Sequence, residues 1–124
     1  MSRILIVDDD SDLVAIITRA LEASGYEVHS AGEPTAGMNK ARQVKPDLII
    51  LDYHMPGTTG AHLFESFRRN KAMASTPIIF MSGEATRDGI RAEISEDGRT
   101  RFLSKPAHLT DLRQAIAEML AVPK

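Results

Sequence analysis

The chain has 124 residues, 43% apolar and 26% charged, a globular composition long enough to bury a core as one domain over residues 1–124. A formal net charge of −2 gives no general attraction to nucleic acid or anionic membranes. The lack of cysteine excludes disulfides, thiolate zinc sites and cysteine nucleophiles, and fits a reducing cytoplasm. No apolar run approaches a membrane span, and Met1 leads into a structured pattern rather than a signal peptide.

A first strand is expected at 4–7 (ILIV), running straight into Asp8, Asp9 and Asp10. Leu13, Ile17, Ala20 and Leu21 then share one helical face, with Gly25 as a natural stop. A second strand (YEVHSA, 26–31) precedes a weaker helical pattern over 34–44, carried by Ala36, Met38, Ala41 and Val44. The third strand, LIIL at 48–51, ends at Asp52, and Leu63, Phe64 and Phe67 mark the helix after it. PIIFM at 77–81 is the fourth strand, followed by Ser82 and Gly83; Ile90 and Ile94 suggest a helix over 86–96. TRFLS at 100–104 is the fifth strand, followed by Lys105, and Leu109, Leu112, Ile116, Met119 and Leu120 mark the last helix. Strands one and three are aliphatic without alternation, as in a parallel sheet covered on both faces. Five strands alternating with five helices predict a doubly wound α/β fold, because parallel neighbours need crossovers.

In such folds the loops beyond the carboxyl ends of the strands form the ligand site. That rule gathers Asp8, Asp9, Asp10, Asp52, Ser82 and Lys105 at one edge. Helix capping accounts for one of these acids, Asp10, but leaves Asp8, Asp9 and Asp52 unexplained. Two carboxylates about 4 Å apart repel by roughly 4 kcal/mol at an effective dielectric of 20, so the cluster calls for a cation. Lys105 neutralises one charge; all-oxygen ligands with room for water point to Mg²⁺ for the rest. Mg²⁺ beside an amine and a hydroxyl is a set of parts for holding a phosphoryl group. A central carboxylate can attack phosphorus to give an acyl phosphate, and Asp52, alone at the end of the central strand, is the best placed. His54 and Glu84, two residues past Asp52 and Ser82, are expected to flank the entrance and tune the lifetime of that acyl phosphate. The plain alternative for Glu84 is a solvated loop acid. His29, His62 and His108 are expected on surfaces.

With these motifs in order (ILIVDDD, DLIILDYHMPGTTG, IIFMSGEA and RFLSKP) the chain resembles the receiver domains of two-component response regulators. The resemblance covers essentially the whole sequence and implies the flavodoxin-like strand order 2-1-3-4-5. It makes Asp52 the phosphoacceptor, with Asp9 and Asp52 on Mg²⁺ directly, Asp8 mainly through water, and the His54 backbone carbonyl as a further ligand. Ser82 and Phe102 would be the switch pair that alters the face of the fourth helix, fifth strand and fifth helix. The donor would be a sensor histidine kinase or a histidine phosphotransfer protein. The output would be a separate target protein or an output domain beyond the present chain, with no nucleic acid or membrane bound by this domain. Such a protein is a phosphoacceptor switch with self-catalysed transfer and dephosphorylation, rather than an enzyme acting on a turnover substrate.

Four departures stand out. Thr59 replaces the usual Asp or Asn before the loop glycine, Gly60, and Ala107 follows Lys105–Pro106 where Phe is frequent. The span from Ser82 to Lys105 is one residue longer than usual, and Arg101 precedes the switch aromatic where acids are common in regulators that dimerise through this face. A haloacid-dehalogenase phosphatase would carry a second aspartate where His54 stands, and would need a cap domain. A flavodoxin would need a hydroxyl- and glycine-rich loop in place of DDDSD, which would repel the FMN phosphate. A degenerate, never-phosphorylated receiver would not keep Asp8, Asp9, Asp52, Ser82 and Lys105 together.

Overall fold

The computed structural model describes residues 2–55, 58–82, 99–104 and 108–121. Strand β1 (Arg3–Val7) leads to helix α1 (Ser11–Ala23), β2 (Glu27–Ala31) to α2 (Pro34–Val44), and β3 (Leu48–Asp52) to α3 (Gly60–Arg69). Strands β4 (Ile78–Ser82) and β5 (Thr100–Ser104) and helix α4 (Leu109–Ala121) complete the described main elements. The five strands are all parallel and lie in the order β2-β1-β3-β4-β5. This is the doubly wound sheet, in the order, that the sequence leads one to expect. The helix expected over 86–96 falls outside the described residues. Between β3 and α3 the chain forms a small antiparallel hairpin, His54–Met55 against Thr58–Thr59.

The unalternating aliphatic runs follow from the layering. Leu5, Val7, Ile49 and Leu51 point to one side of the sheet, where they meet Ala41 of α2 and Phe64 and Phe67 of α3. Ile4, Ile6, Leu48 and Ile50 point to the other, against Ile17 and Leu21 of α1 and Leu112 and Ile116 of α4. Each strand keeps its period of two, but both faces are apolar layers, so every position must be aliphatic. Each such side chain, fully buried, contributes about 1.5–3 kcal/mol.

The connections are set locally. Asp10 caps α1 by accepting the Leu13 N–H at 3.1 Å, as its position before the apolar face predicts. The chain leaves α1 through Gly25 at φ 95°, a left-handed turn that glycine enters without a Cβ clash. At the end of α2, Lys45 takes that role at φ 50°, its N–H donating to the Ala41 carbonyl. Gly37 lets α2 lie close on β1, since a Cβ there would come within 3.0 Å of both Val7 methyls. Because β1 sits between β2 and β3, the loops leaving β1 and β3 diverge, and a crevice opens at that switch point. Among the described residues no helix is long and apolar enough to cross a membrane.

Candidate functional site

Asp8 is the first residue past β1. Its N–H donates to the Ala31 carbonyl at 3.0 Å, extending the β1–β2 ladder by one step and fixing its backbone. Its carboxylate accepts the Asp10 N–H at 2.9 Å, so the turn into α1 also orients the Asp8 side chain. Asp9, between them, is exposed. Asp52 is the last residue of β3 and pairs in register with Met81, while the next N–H, that of Tyr53, donates to the Met81 carbonyl at 3.1 Å. One carboxylate oxygen each from Asp8, Asp9 and Asp52 lies within 4.8 Å of the others.

Asp8 is 5% and Asp52 3% exposed, which places two of the three acids largely out of water. At that spacing two full charges repel by roughly 3 kcal/mol or more at an effective dielectric near 20. The cluster is therefore a pocket of negative potential with one solvent-facing member, and an oxygen-only donor set suits a hard cation.

The other residues singled out by the sequence are placed as follows. Ser82 ends β4 and pairs in register with Ser104, so its backbone reaches the same edge. The backbone of His54 lies in the hairpin two residues past Asp52, in register with Thr59, so Thr59 closes this hairpin just before Gly60 opens α3. Lys105, Glu84 and Ala107 lie outside the described residues. Phe102 is buried, at 8% exposure, and its ring stacks flat on Phe80, with centroids 5.8 Å apart and planes 8° from parallel. Phe80 in turn meets Phe64 at 5.4 Å and the edge of Tyr53 at 6.4 Å. A packed aromatic path thus joins Tyr53, the neighbour of Asp52, to Phe102 on β5. Sequence reasoning missed Tyr53 and Phe80 in this role. The signal is the strand register, which sets Phe80 directly beside Phe102.

His62 and His108 are exposed, as expected. His29 is half-buried on the edge strand, and its Nε2 lies 2.8 Å from Glu27, whose carboxylate also pairs with Arg3 at 3.0 Å. That hydrogen bond from His29, with help from Arg3, holds the Glu27 carboxyl below the usual carboxylate range. Arg101 of β5 is engaged inside the chain, by Glu118 of α4. The bond from Arg101, aided by Gln114, lowers the Glu118 carboxyl in the same way.

Comparison with known proteins gives a consistent result. The sequence model of the response regulator receiver domain matches residues 4–117. The transcriptional regulatory protein PrrA of Mycobacterium tuberculosis is 34% identical over 119 residues, 95% of this chain and 49% of PrrA. The chain thus spans about half the length of the regulators of that kind that it matches. Protein PilH of Pseudomonas aeruginosa is 31% identical over 123 residues, 98% of this chain and 99% of PilH. Among solved structures, the chemotaxis protein CheY4 of Vibrio cholerae superposes with a TM-score of 0.85 at 27% identity, covering 96% of this chain and 98% of CheY4.

Proposed function

The chain belongs to the response regulator receiver domain family of two-component systems, and from that premise we propose that Asp52 accepts a phosphoryl group and makes residues 1–124 a one-domain switch. The observation that carries this reading is the meeting of Asp8, Asp9 and Asp52 oxygens within 4.8 Å at the carboxyl ends of β1 and β3. The donor is a phosphohistidine on a sensor histidine kinase or a phosphotransfer protein. An Asp52 oxygen attacks phosphorus and a P–O bond forms. The P–N bond breaks, and the imidazole leaves with its electron pair and takes up a proton. Hydrolysis of the acyl phosphate returns Asp52 and inorganic phosphate, so the protein is reset by its own site rather than acting as an enzyme on a turnover substrate.

The donor set fits Mg²⁺, because three carboxylates with one exposed member form an incomplete oxygen cage that leaves room for water. Asp9 and Asp52 would hold the ion directly, Asp8 through water and His54 through its carbonyl. Bound there, Mg²⁺ would offset the clustered charge and screen the phosphoryl oxygens. Burial of Asp52 protects the acyl phosphate from bulk water, while the fixed carboxylate of Asp8 keeps the pocket preorganised. Lys105 pairs with a phosphoryl oxygen and Ser82 donates its hydroxyl to another. His54 and Glu84 would tune the hydrolysis rate.

Phe102 carries the signal. Its ring is already turned inward onto Phe80, so phosphorylation need only raise the population of that packing by drawing Ser82 toward the phosphoryl group. The face altered contains β5 and α4 together with the segment before β5. Its reader is a separate protein or a further domain, and a net charge of −2 gives the domain no general attraction to nucleic acid or membrane. Incubation with Mg²⁺ and acetyl phosphate tests the reading. Wild type should gain one phosphoryl group by intact mass, lose it on chelation of Mg²⁺ during loading, and gain none as Asp52→Asn. Undiminished loading of Asp52→Asn would sink it.

A further inference from the structure

Away from the acidic edge, helices α2 and α3 enclose an open groove of about 630 Å³, lined by Met38, Asn39, Arg42, Leu63, Arg69 and Asn70 among others. A second recess of about 240 Å³ shares Arg42 and Asn70 with it and adds Lys45. Among the described residues no aspartate or glutamate lines either one. The segments 34–46 and 60–71, which hold both helices, carry six Lys or Arg against one Glu; the rest of the chain carries nine against sixteen. This is a local cationic face on a protein of net negative charge.

Several polar groups of the groove keep donors to spare. The only bond of Arg69 is from Nε to the Glu65 carbonyl at 3.4 Å, and Arg42 has none, so both guanidiniums keep free N–H groups among the described residues. Several other arginines are engaged: Arg3 with Glu27, Arg101 with Glu118, Arg68 on the Met73 and Thr76 carbonyls. The Asn70 Oδ1 accepts from Ala72, which leaves its amide nitrogen to donate. Met38 and Leu63 offer apolar surface between these donors. Two guanidiniums suit carboxylates, which they grip in bidentate fashion.

We infer that the α2–α3 groove is a docking site for an acidic peptide segment of a partner protein, its carboxylates on Arg42 and Arg69 and an apolar side chain between them on Met38 and Leu63. A long polyanion such as duplex DNA fits poorly, because nucleic-acid binding needs many phosphate contacts and the rest of the chain is net acidic. A flat anionic bilayer cannot enter a concave groove. The site is separate from Asp52, so it stands whether or not Asp52 is phosphorylated.

An ¹⁵N NMR titration of the full chain with a short peptide alternating glutamate and leucine tests the inference. Shifts should concentrate on α2 and α3, and the glutamine–leucine counterpart should bind at least about tenfold more weakly. The pair Arg42→Gln with Arg69→Gln should lose a similar factor. Arg42→Glu with Arg69→Glu should reject the glutamate peptide and take up the lysine–leucine one, a gain that misfolding cannot mimic. Equal binding of the glutamine peptide, shifts elsewhere, or indifference to the arginine variants would overturn the inference. So would tighter, arginine-dependent binding of duplex DNA or phosphatidylserine vesicles.

Discussion

Asp8, Asp9 and Asp10 are the same residue three times, and the fold gives each a different environment. Asp8 is buried and held by the Asp10 N–H, Asp9 is exposed toward the cluster, and Asp10 turns away to cap α1. The cap was legible, because an acid before an apolar helical face has a specific use. The division between Asp8 and Asp9 was not, since it depends on a backbone hydrogen bond made after the chain turns. If the cluster holds Mg²⁺, Asp9→Asn should weaken its binding by about tenfold, near 1.4 kcal/mol, in a calorimetric titration, while Asp10→Asn changes it little. Without metal, Asp9→Asn should melt at a higher temperature than wild type, because a repelling charge has gone. Asp10→Ala, in contrast, should lose about 1 kcal/mol of stability with Mg²⁺ affinity kept, as read by denaturant unfolding. Equal Mg²⁺ affinities in wild type and Asp9→Asn would refute coordination by this cluster.

At the level of elements, the strands were legible because aliphatic runs of four or five residues have few other uses, and 34–44 was legible as a helix from Ala36, Met38, Ala41 and Val44. The hairpin after Asp52 was not, since two residues a side are too short for a period of two to show. Nor was the Tyr53–Phe80–Phe102 path, which arises from register rather than from local pattern. That path makes a prediction. Phe102→Leu should remove the stack on Phe80, worth about 0.5–1.5 kcal/mol beyond burial, and should shrink the phosphorylation-linked NMR shifts on α4 while Asp52 still loads. Shifts of wild-type size in that variant would argue against Phe102 as the carrier. The edge pair Glu27–His29 and the β5–α4 pair Arg101–Glu118 predict a pH effect of known sign. Both carboxyls sit below their ordinary range in the folded protein, so the unfolded chain binds the proton first. Their contribution is present above the ordinary carboxylate range and is lost as pH falls through the lowered folded values. Glu27→Gln with Glu118→Gln should therefore flatten the acid side of the stability curve, modestly, because both groups are exposed and screened by solvent. An acid limb as steep as that of wild type would contradict the pairing.

Across the whole molecule, sheet order does what no single motif does. Placing β1 between β2 and β3 brings residues 8, 9 and 52 together across more than forty positions of sequence, and the sequence announced this through the alternation of strands and helices. The cationic α2–α3 groove was not legible, because Arg42 and Arg69 belong to different helices and become neighbours of one cavity only through packing on the sheet. In the same way register sets the acids and the aromatics side by side, a charged edge at Asp52 next to a packed interior that starts at Tyr53, and on the proposed reading the second reports on the first. Phosphorylation should then act at a distance, with backbone NMR showing changes near Asp52 and again around Phe102 and α4; changes confined to the Asp52 loop would break the link. All of this depends on which residue takes the phosphoryl group. The most direct measurement is to load the protein with acetyl phosphate and Mg²⁺, reduce the acyl phosphate with borohydride, and locate the reduced residue by peptide mass spectrometry. The account predicts homoserine at position 52 and nowhere else. Reduction at Asp8 or Asp9, or at no aspartate in protein that has gained a phosphoryl group, would contradict it.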